Sequence, residues 1–245
     1  MEGITEIMAA LGENIERNQT ATEYARLRPW VAAVAHMRTL AGRTWDEIVH
    51  EQPVIPEAQR GLILDILNHD ADGLRETASH LLSEPVPFVT LVGKTGSGKT
   101  TMAYALAAMY SKIAAESLLA RAERACEAAK KSSTFGNPST GKIPKVKFFL
   151  AKHLSDCRRF SPLGDTPKML AEASSCDIAI IDDIVGMRDP DGDLYDVIWN
   201  RDNDRRPTIL TTAMSPTDMT TAYSEMFSRR VFGGFSMVVR RKERK

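Results

Sequence analysis

The chain reads as an α/β protein: a parallel sheet flanked by helices, preceded by a small all-helical N-terminal domain. Three observations predict this. An apolar run at residues 88–92 passes through a glycine-rich turn into an Ala-rich helical pattern at residues 102–110. A second apolar run, residues 178–181, ends in the paired carboxylates Asp182 and Asp183, as a buried parallel strand would. Before residue 86, by contrast, apolar residues recur at helical spacing.

The front of the chain sets out that spacing in blocks. Ile4, Ile7, Met8, Leu11 and Ile15 form one stripe, and Trp30, Val31, Val34, Met37 and Leu40 another. Gly42 punctuates, and Thr44 reads as an N-cap whose capping box is completed by Glu47. Pro53 and Pro56 break that helix, residues 58–67 form another, and residues 74–82 a last one before Pro85 and Pro87. Residues 30–50 carry a faint helix-turn-helix pattern. Charge argues against a DNA role for it: residues 1–85 hold 14 Asp and Glu against 7 Arg and no Lys, a net −7, whereas residues 86–245 carry a net +7. An acidic front and a basic back predict two modules with different partners. Residues 1–85 are expected to bind a protein partner or to self-assemble, residues 86–239 to form the α/β domain, and residues 240–245 a basic tail.

The turn after the first strand is specific. Gly93, Gly98, Lys99 and Thr100 stand at the spacing G-x-x-x-x-G-K-[ST], with Lys94, Thr95, Gly96 and Ser97 between and Thr101 after. Glycines let backbone N–H groups converge on an anion, and the helix that follows adds the positive end of its dipole. Lys99 is placed to reach the β- and γ-phosphates of a nucleoside triphosphate, and the Thr100 hydroxyl to hold Mg²⁺.

Beyond the loop the helical pattern runs on through residue 128. A Gly- and Pro-containing loop at residues 134–144 follows, flanked by Lys130, Lys131, Lys142, Lys145 and Lys147, and reads either as a solvated surface loop or as a DNA-backbone contact. Residues 146–150 predict a strand, 151–160 a short helix, 161–167 a connection and 168–173 a helix. The strand at residues 177–184 brings Asp182 and Asp183 to its C-terminal end, where ligands bind in open α/β sheets. Asp182 is expected to act on Mg²⁺, directly or through water, and Asp183 to orient and activate an attacking water. A helix at 194–201, a charged turn at 202–206, a core strand at 207–212, one helix at 216–230 and a final strand at 235–239 complete the chain.

Composition excludes several classes. No run of 18 apolar residues and no signal-peptide layout is present, so a cytoplasmic protein without a membrane partner is expected. Cys126, Cys157 and Cys176 show no CxxC and no matching His spacing, which makes them reduced structural thiols rather than metal ligands or nucleophiles.

Residues 93–101, the strand 178–184, and residues 206–212 followed by Phe227-Ser-Arg229 together resemble the AAA+ ATPases, and within them the DnaC/IstB family of helicase loaders and transposition ATPases. The likeness covers about residues 86–239. It implies a P-loop NTPase fold that binds and hydrolyses ATP with Mg²⁺, assembly into a homo-oligomeric ring or spiral with ATP at subunit interfaces, and association with DNA through the basic domain. It also implies a replicative helicase as the partner of residues 1–85 or, in the transposition version, a transposase. Arg229 corresponds to the arginine finger that reaches a neighbouring subunit's nucleotide, with Arg230 beside it as the competing choice. The sensor-1 position is occupied by Ala213, so that role is either lost or shifted to Thr211 or Thr212. Asp183 stands where many members carry Glu, which implies slow turnover, and Asp202 follows Arg201 where an aromatic is usual. The link at residues 111–144 is longer than the family's, and the given residues end before a full helical lid, which the resemblance implies this family can lack. A small-molecule P-loop kinase and a non-hydrolysing binding module are the other readings of the loop.

Overall fold

The apolar runs at residues 88–92, 146–150, 178–184, 208–212 and 235–238 become strands, and these five, among the described residues, run in one direction. The structure, a computed structural model, describes residues 21–82, 87–131, 142–160, 167–186, 189 and 192–240. The stripe at residues 4–15, most of the 134–144 loop, the 161–166 connection and the end of the basic tail lie outside the described residues.

Helices α1 (Ala21–Ala41), α2 (Trp45–Glu51), α3 (Glu57–His69) and α4 (Ala71–Ser79) precede β1 (Phe88–Val92). The long α5 (Lys99–Lys131) leads to β2 (Val146–Leu150), α6 (Ala151–Ser155), α7 (Lys168–Ser175) and β3 (Ile178–Ile184). Then come α8 (Asp193–Asn203), β4 (Thr208–Thr212), α9 (Pro216–Ala222), α10 (Glu225–Gly233) and β5 (Phe235–Val238). The single helix expected over residues 216–230 is two. Ser224 adopts an extended conformation, and its side chain accepts the Phe227 N–H at 3.1 Å, so the chain restarts a helix there instead of continuing one. Ser215 and Asp218 form a full capping box at the first of the pair, with Pro216 in its first turn.

The sheet order is β2-β3-β4-β1-β5, parallel throughout. Side chains alternate between faces, so register sorts the core. Phe88, Leu210, Ile181, Ala179 and Phe149 share one face and pack with residues of α6, α7, α8 and α10. Val89, Ile209, Ile180 and Phe148 share the other, where the Phe148 ring stacks on Tyr104 of α5 at 5.5 Å. Both faces are buried, which is why these strands read as continuous apolar runs.

The chain divides into two compact units, and the division differs from the boundary expected near residue 85. One comprises residues 1–44 and 112–143, the other residues 45–111 and 144–245. Helix α5 contributes its residues up to Ser111 to the sheet-bearing unit and those from Lys112 onward to the other. Specific side chains account for this. In the sheet-bearing unit His80, just after α4, stacks on Phe235 of β5 at 4.2 Å, and Leu81 is buried. In the other unit, Lys112 donates to the carbonyls of Ala41, the last residue of α1, and Arg43 just after it, and Arg38 pairs with Glu123 at 2.8 Å.

Candidate functional site

The parallel strands bring their C-terminal ends to one edge, and the glycine-rich loop leaves β1 there. Gly93 donates its N–H to the Thr212 carbonyl at 3.1 Å. A Cβ at Gly93 would lie 2.5 Å from the Val239 carbonyl oxygen and 2.7 Å from Ser97 Oγ, so no other residue fits without moving backbone. Gly96 and Gly98 have φ of 76° and 94°, in the left-handed region that L side chains avoid. Lys94, Thr95 and Gly96 are exposed along the loop's outer turn, which the Ser97 N–H closes onto the Lys94 carbonyl at 3.1 Å.

Two donors in this loop suit an anion. Lys99 is buried, and its ammonium donates to the carbonyls of Gly93 at 2.8 Å and Lys94 at 3.1 Å, which leaves one of three N–H bonds for a ligand. Ser97 Oγ is buried without a hydrogen-bond partner among the described residues. The loop also leads into the N-terminus of α5, whose first backbone N–H groups have no partner within the helix.

Register explains why the carboxylate of β3 meets this helix. Asp182 lies on the same face of β3 as Ile180, the face that α5 covers, and is 7% exposed. The Thr100 hydroxyl sits 3.0 Å from both of its carboxylate oxygens. Thr211, on the β4 strand that separates β1 from β3, donates to Asp182 Oδ1 at 2.7 Å. Thr212 faces the other way. Its hydroxyl donates to the Ile184 carbonyl at 2.6 Å and accepts from the Met214 N–H at 3.0 Å, so of the adjacent threonines it is Thr211 that reaches the carboxylate. Asp183 is exposed, with φ of 60°. Tyr104, one turn after Thr100, has its phenol pushed up to about 12 by burial and by the nearby Asp182 charge, so it stays protonated. Among the described residues no group of three or more His, Cys, Asp or Glu could hold a metal ion.

A cavity of about 610 Å³ opens beside the loop, in the range of small-ligand pockets. Leu62, Ile66 and His69 of α3 line it together with Gly96, Gly98, Thr101 and Met102. Thr101 also approaches Gln59 of α3, with 3.5 Å between its Oγ1 and Gln59 Oε1. No local pattern in α3 signals this role; it follows from long-range packing alone.

The remaining candidates separate cleanly. Arg230 packs over the Trp199 ring at 3.8 Å, with Nε 3.2 Å from Asp202, and ties α10 to α8. Arg229 is 77% exposed, and its guanidinium meets Glu225 one turn back at 2.6 Å. Arg201 lies at the opposite end of the sheet, fully buried, and donates to the carbonyls of Ala173, Cys176 and Pro207 and to Thr208 Oγ1. All three cysteines are free, and burial raises each thiol. No helix among the described residues is long and apolar enough to cross a membrane.

No protein-family model matches the chain, and no curated protein does. Among solved structures, a putative primosome component from Streptococcus pyogenes serotype M3 is similar with a TM-score of 0.50 at 15% identity, over 78% of this chain and 92% of that one. AMPPCP-bound DnaA from Aquifex aeolicus aligns with a TM-score of 0.44 at 15% identity, over 71% of this chain and 46% of its own. DnaI aligns with a TM-score of 0.44 at 12% identity, over 85% and 93%. At such identities the likeness is one of fold. The fold shared with the primosome component is a five-stranded parallel sheet flanked by helices.

Proposed function

We propose that the chain binds and hydrolyses ATP at the interfaces of a homo-oligomer and acts in DNA replication as a helicase loader. The observation that carries the ATPase reading is the convergence of Lys99, Thr100, Asp182 and Asp183 at one edge of the sheet. In this reading the backbone from Gly93 to Gly98 and the Lys99 ammonium hold the β- and γ-phosphates, and Thr101 and the cavity beside it take the nucleoside. Thr100 and Asp182 would hold Mg²⁺, which neutralises charge on the phosphate oxygens. Asp183, exposed at the strand end, accepts the proton of the attacking water. Its side chain is a methylene shorter than Glu, and turnover is accordingly slow.

Arg229 is the finger in this proposal because its guanidinium is exposed and held only by the pair with Glu225 one turn back, whereas Arg230 is packed over Trp199 and paired with Asp202. A residue completing a neighbour's site makes activity depend on assembly. ATPase activity per subunit should rise with protein concentration, and Arg229→Ala should lower it by at least about 100-fold while ATP binding persists. Activity that is independent of concentration and insensitive to Arg229→Ala would rule out the shared site.

The replication role carries over to this chain what the putative primosome component of the same fold is named for, and the loader assignment goes beyond that name on the strength of the family resemblance of residues 86–239. The net +7 of residues 86–245 supports DNA as a ligand, and the acidic residues 1–85 support a protein partner. The full chain is expected to co-elute with a replicative helicase in an ATP-dependent manner, and its DNA affinity to fall steeply between about 50 and 200 mM salt. Co-elution with a transposase instead would move the role to transposition. Salt-independent DNA affinity would remove the backbone contact.

A further inference from the structure

Charge divides between the two compact units differently from its order along the chain. Residues 1–44 and 112–143 hold 11 Lys and Arg against 8 Asp and Glu, a net +3, whereas residues 45–111 and 144–245 hold 21 against 24, a net −3. The acidic surplus of the front belongs to residues 45–85, which hold 9 Asp and Glu against 2 Arg and lie in the sheet-bearing unit. The basic unit is the one that contains α1 and the distal half of α5, residues 112–131.

Helical geometry sorts that half of α5 into faces. Ala115, Cys126 and Ala129 are buried, and at about 3.6 residues per turn they share one side of the helix. Arg121, Arg124, Ala128 and Lys131 are exposed and fall together on the opposite side. The acids beside this stripe are engaged elsewhere: Glu123 pairs with Arg38 at 2.8 Å and Glu127 with Lys130 at 2.5 Å. Among the described residues no carboxylate pairs with Arg121 or Arg124.

We propose that this exposed face of α5 binds the phosphate backbone of DNA. From Arg121 to Lys131 the stripe runs about 15 Å, and a duplex carries one negative charge per about 1.7 Å of its axis, so several phosphates meet it at once. Arginine suits them, because its planar fork donates to two phosphate oxygens together. The other exposed residues on that side are Ser117 and Ala128, so the stripe lacks the bulky apolar side chains that a helix lying in a membrane surface buries. Backbone contacts carry no sequence information, and binding is accordingly independent of sequence. The inference rests on the reading of the chain as a DNA-associated protein, and it assigns the contact to the helical unit instead of the sheet-bearing one.

The test follows the fluorescence anisotropy of a labelled oligonucleotide, single-stranded and as its duplex, with full-length proteins between about 50 and 200 mM salt. Wild type is compared with Arg121→Gln/Arg124→Gln/Lys131→Gln, with each single Gln variant, and with the charge-keeping Arg121→Lys/Arg124→Lys. A further variant, Lys152→Gln/Arg159→Gln/Lys168→Gln, removes as many exposed charges from the sheet-bearing unit. Every position is exposed and Gln and Lys are good helix formers, so matched unfolding temperatures are expected. The triple stripe variant should bind at least about tenfold more weakly, and its plot of log affinity against log salt should be shallower by about 2–3, or about 1 for each single variant. The charge-keeping and sheet-unit variants should stay within about threefold of wild type. A stripe variant that binds as wild type does, or a sheet-unit variant weakened as much, overturns the assignment. Wild type that ignores both oligonucleotides at about 50 mM salt removes the DNA reading itself, and this inference with it. If that wild type sediments with vesicles of equal parts phosphatidylcholine and phosphatidylserine and the stripe variant does not, the face is a membrane contact instead.

Discussion

Lys99→Ala is expected to weaken ATP binding by about 100-fold without unfolding the protein. The ammonium is held inside the loop by two backbone carbonyls, at 2.8 and 3.1 Å, and is largely shielded from water. Its orientation is therefore fixed before a ligand arrives, and little of its interaction with phosphate is lost to ordering a flexible side chain. A hydrogen bond from a charged donor contributes about 1.5–3 kcal/mol, and each 1.4 kcal/mol is a factor of about ten in affinity. Calorimetric titration of ATP into wild type and variant measures the difference, and matched unfolding temperatures of the nucleotide-free proteins confirm that the fold is intact. Affinities within threefold of each other would remove Lys99 from the site.

Arg201→Met should destabilise the protein by about 3–5 kcal/mol, the result of leaving several buried acceptors unpaired at about 1–3 kcal/mol each. The guanidinium is fully buried and donates to three carbonyls and a hydroxyl at 2.7–3.0 Å, joining the end of α7 to the start of β4. Lysine is no remedy, because its three donors cannot reproduce the planar five-donor fork. Since domains are stable by only about 5–15 kcal/mol, the variant should show a large drop in its denaturation midpoint. Burial lowers the Arg201 pKa to about 10, so the group is charged in both folded and unfolded chains at neutral pH. Between about 10 and its ordinary value the unfolded chain binds more protons, and stability from this group rises with pH; near neutrality it contributes no pH dependence. A midpoint shift in Arg201→Met no larger than that of a surface substitution would show that the carbonyls find other partners.

What could be read from the chain alone followed from how local each signal is. The loop at Gly93–Thr101 is a contiguous pattern, and strands buried on both faces announce themselves as apolar runs, so β1 to β5 fall close to where those runs lie. The break at Ser224 was legible in principle, because Ser followed by Glu225 and an apolar stretch is a helix-start pattern; the longer helical periodicity outweighed it. The choice between Thr211 and Thr212 was not legible. Adjacent residues on a strand face opposite sides, and which side meets α5 is decided by sheet order and register, neither of which is written locally. The same holds for α3, whose approach to the loop joins segments some 30–40 residues apart.

The strand order has a consequence for how the protein comes into being. β1 lies between β4 and β5, so Val92 pairs with Thr212 and Val89 with Phe235, partners 120 and 146 positions later. During synthesis at about 5–20 residues per second, the strand that carries the phosphate loop leaves the ribosome many seconds before either neighbour exists. Until residues 208–238 emerge, β1 is an apolar segment with both of its edges open, and its nascent chain is exposed to mispairing and chaperone capture throughout that interval.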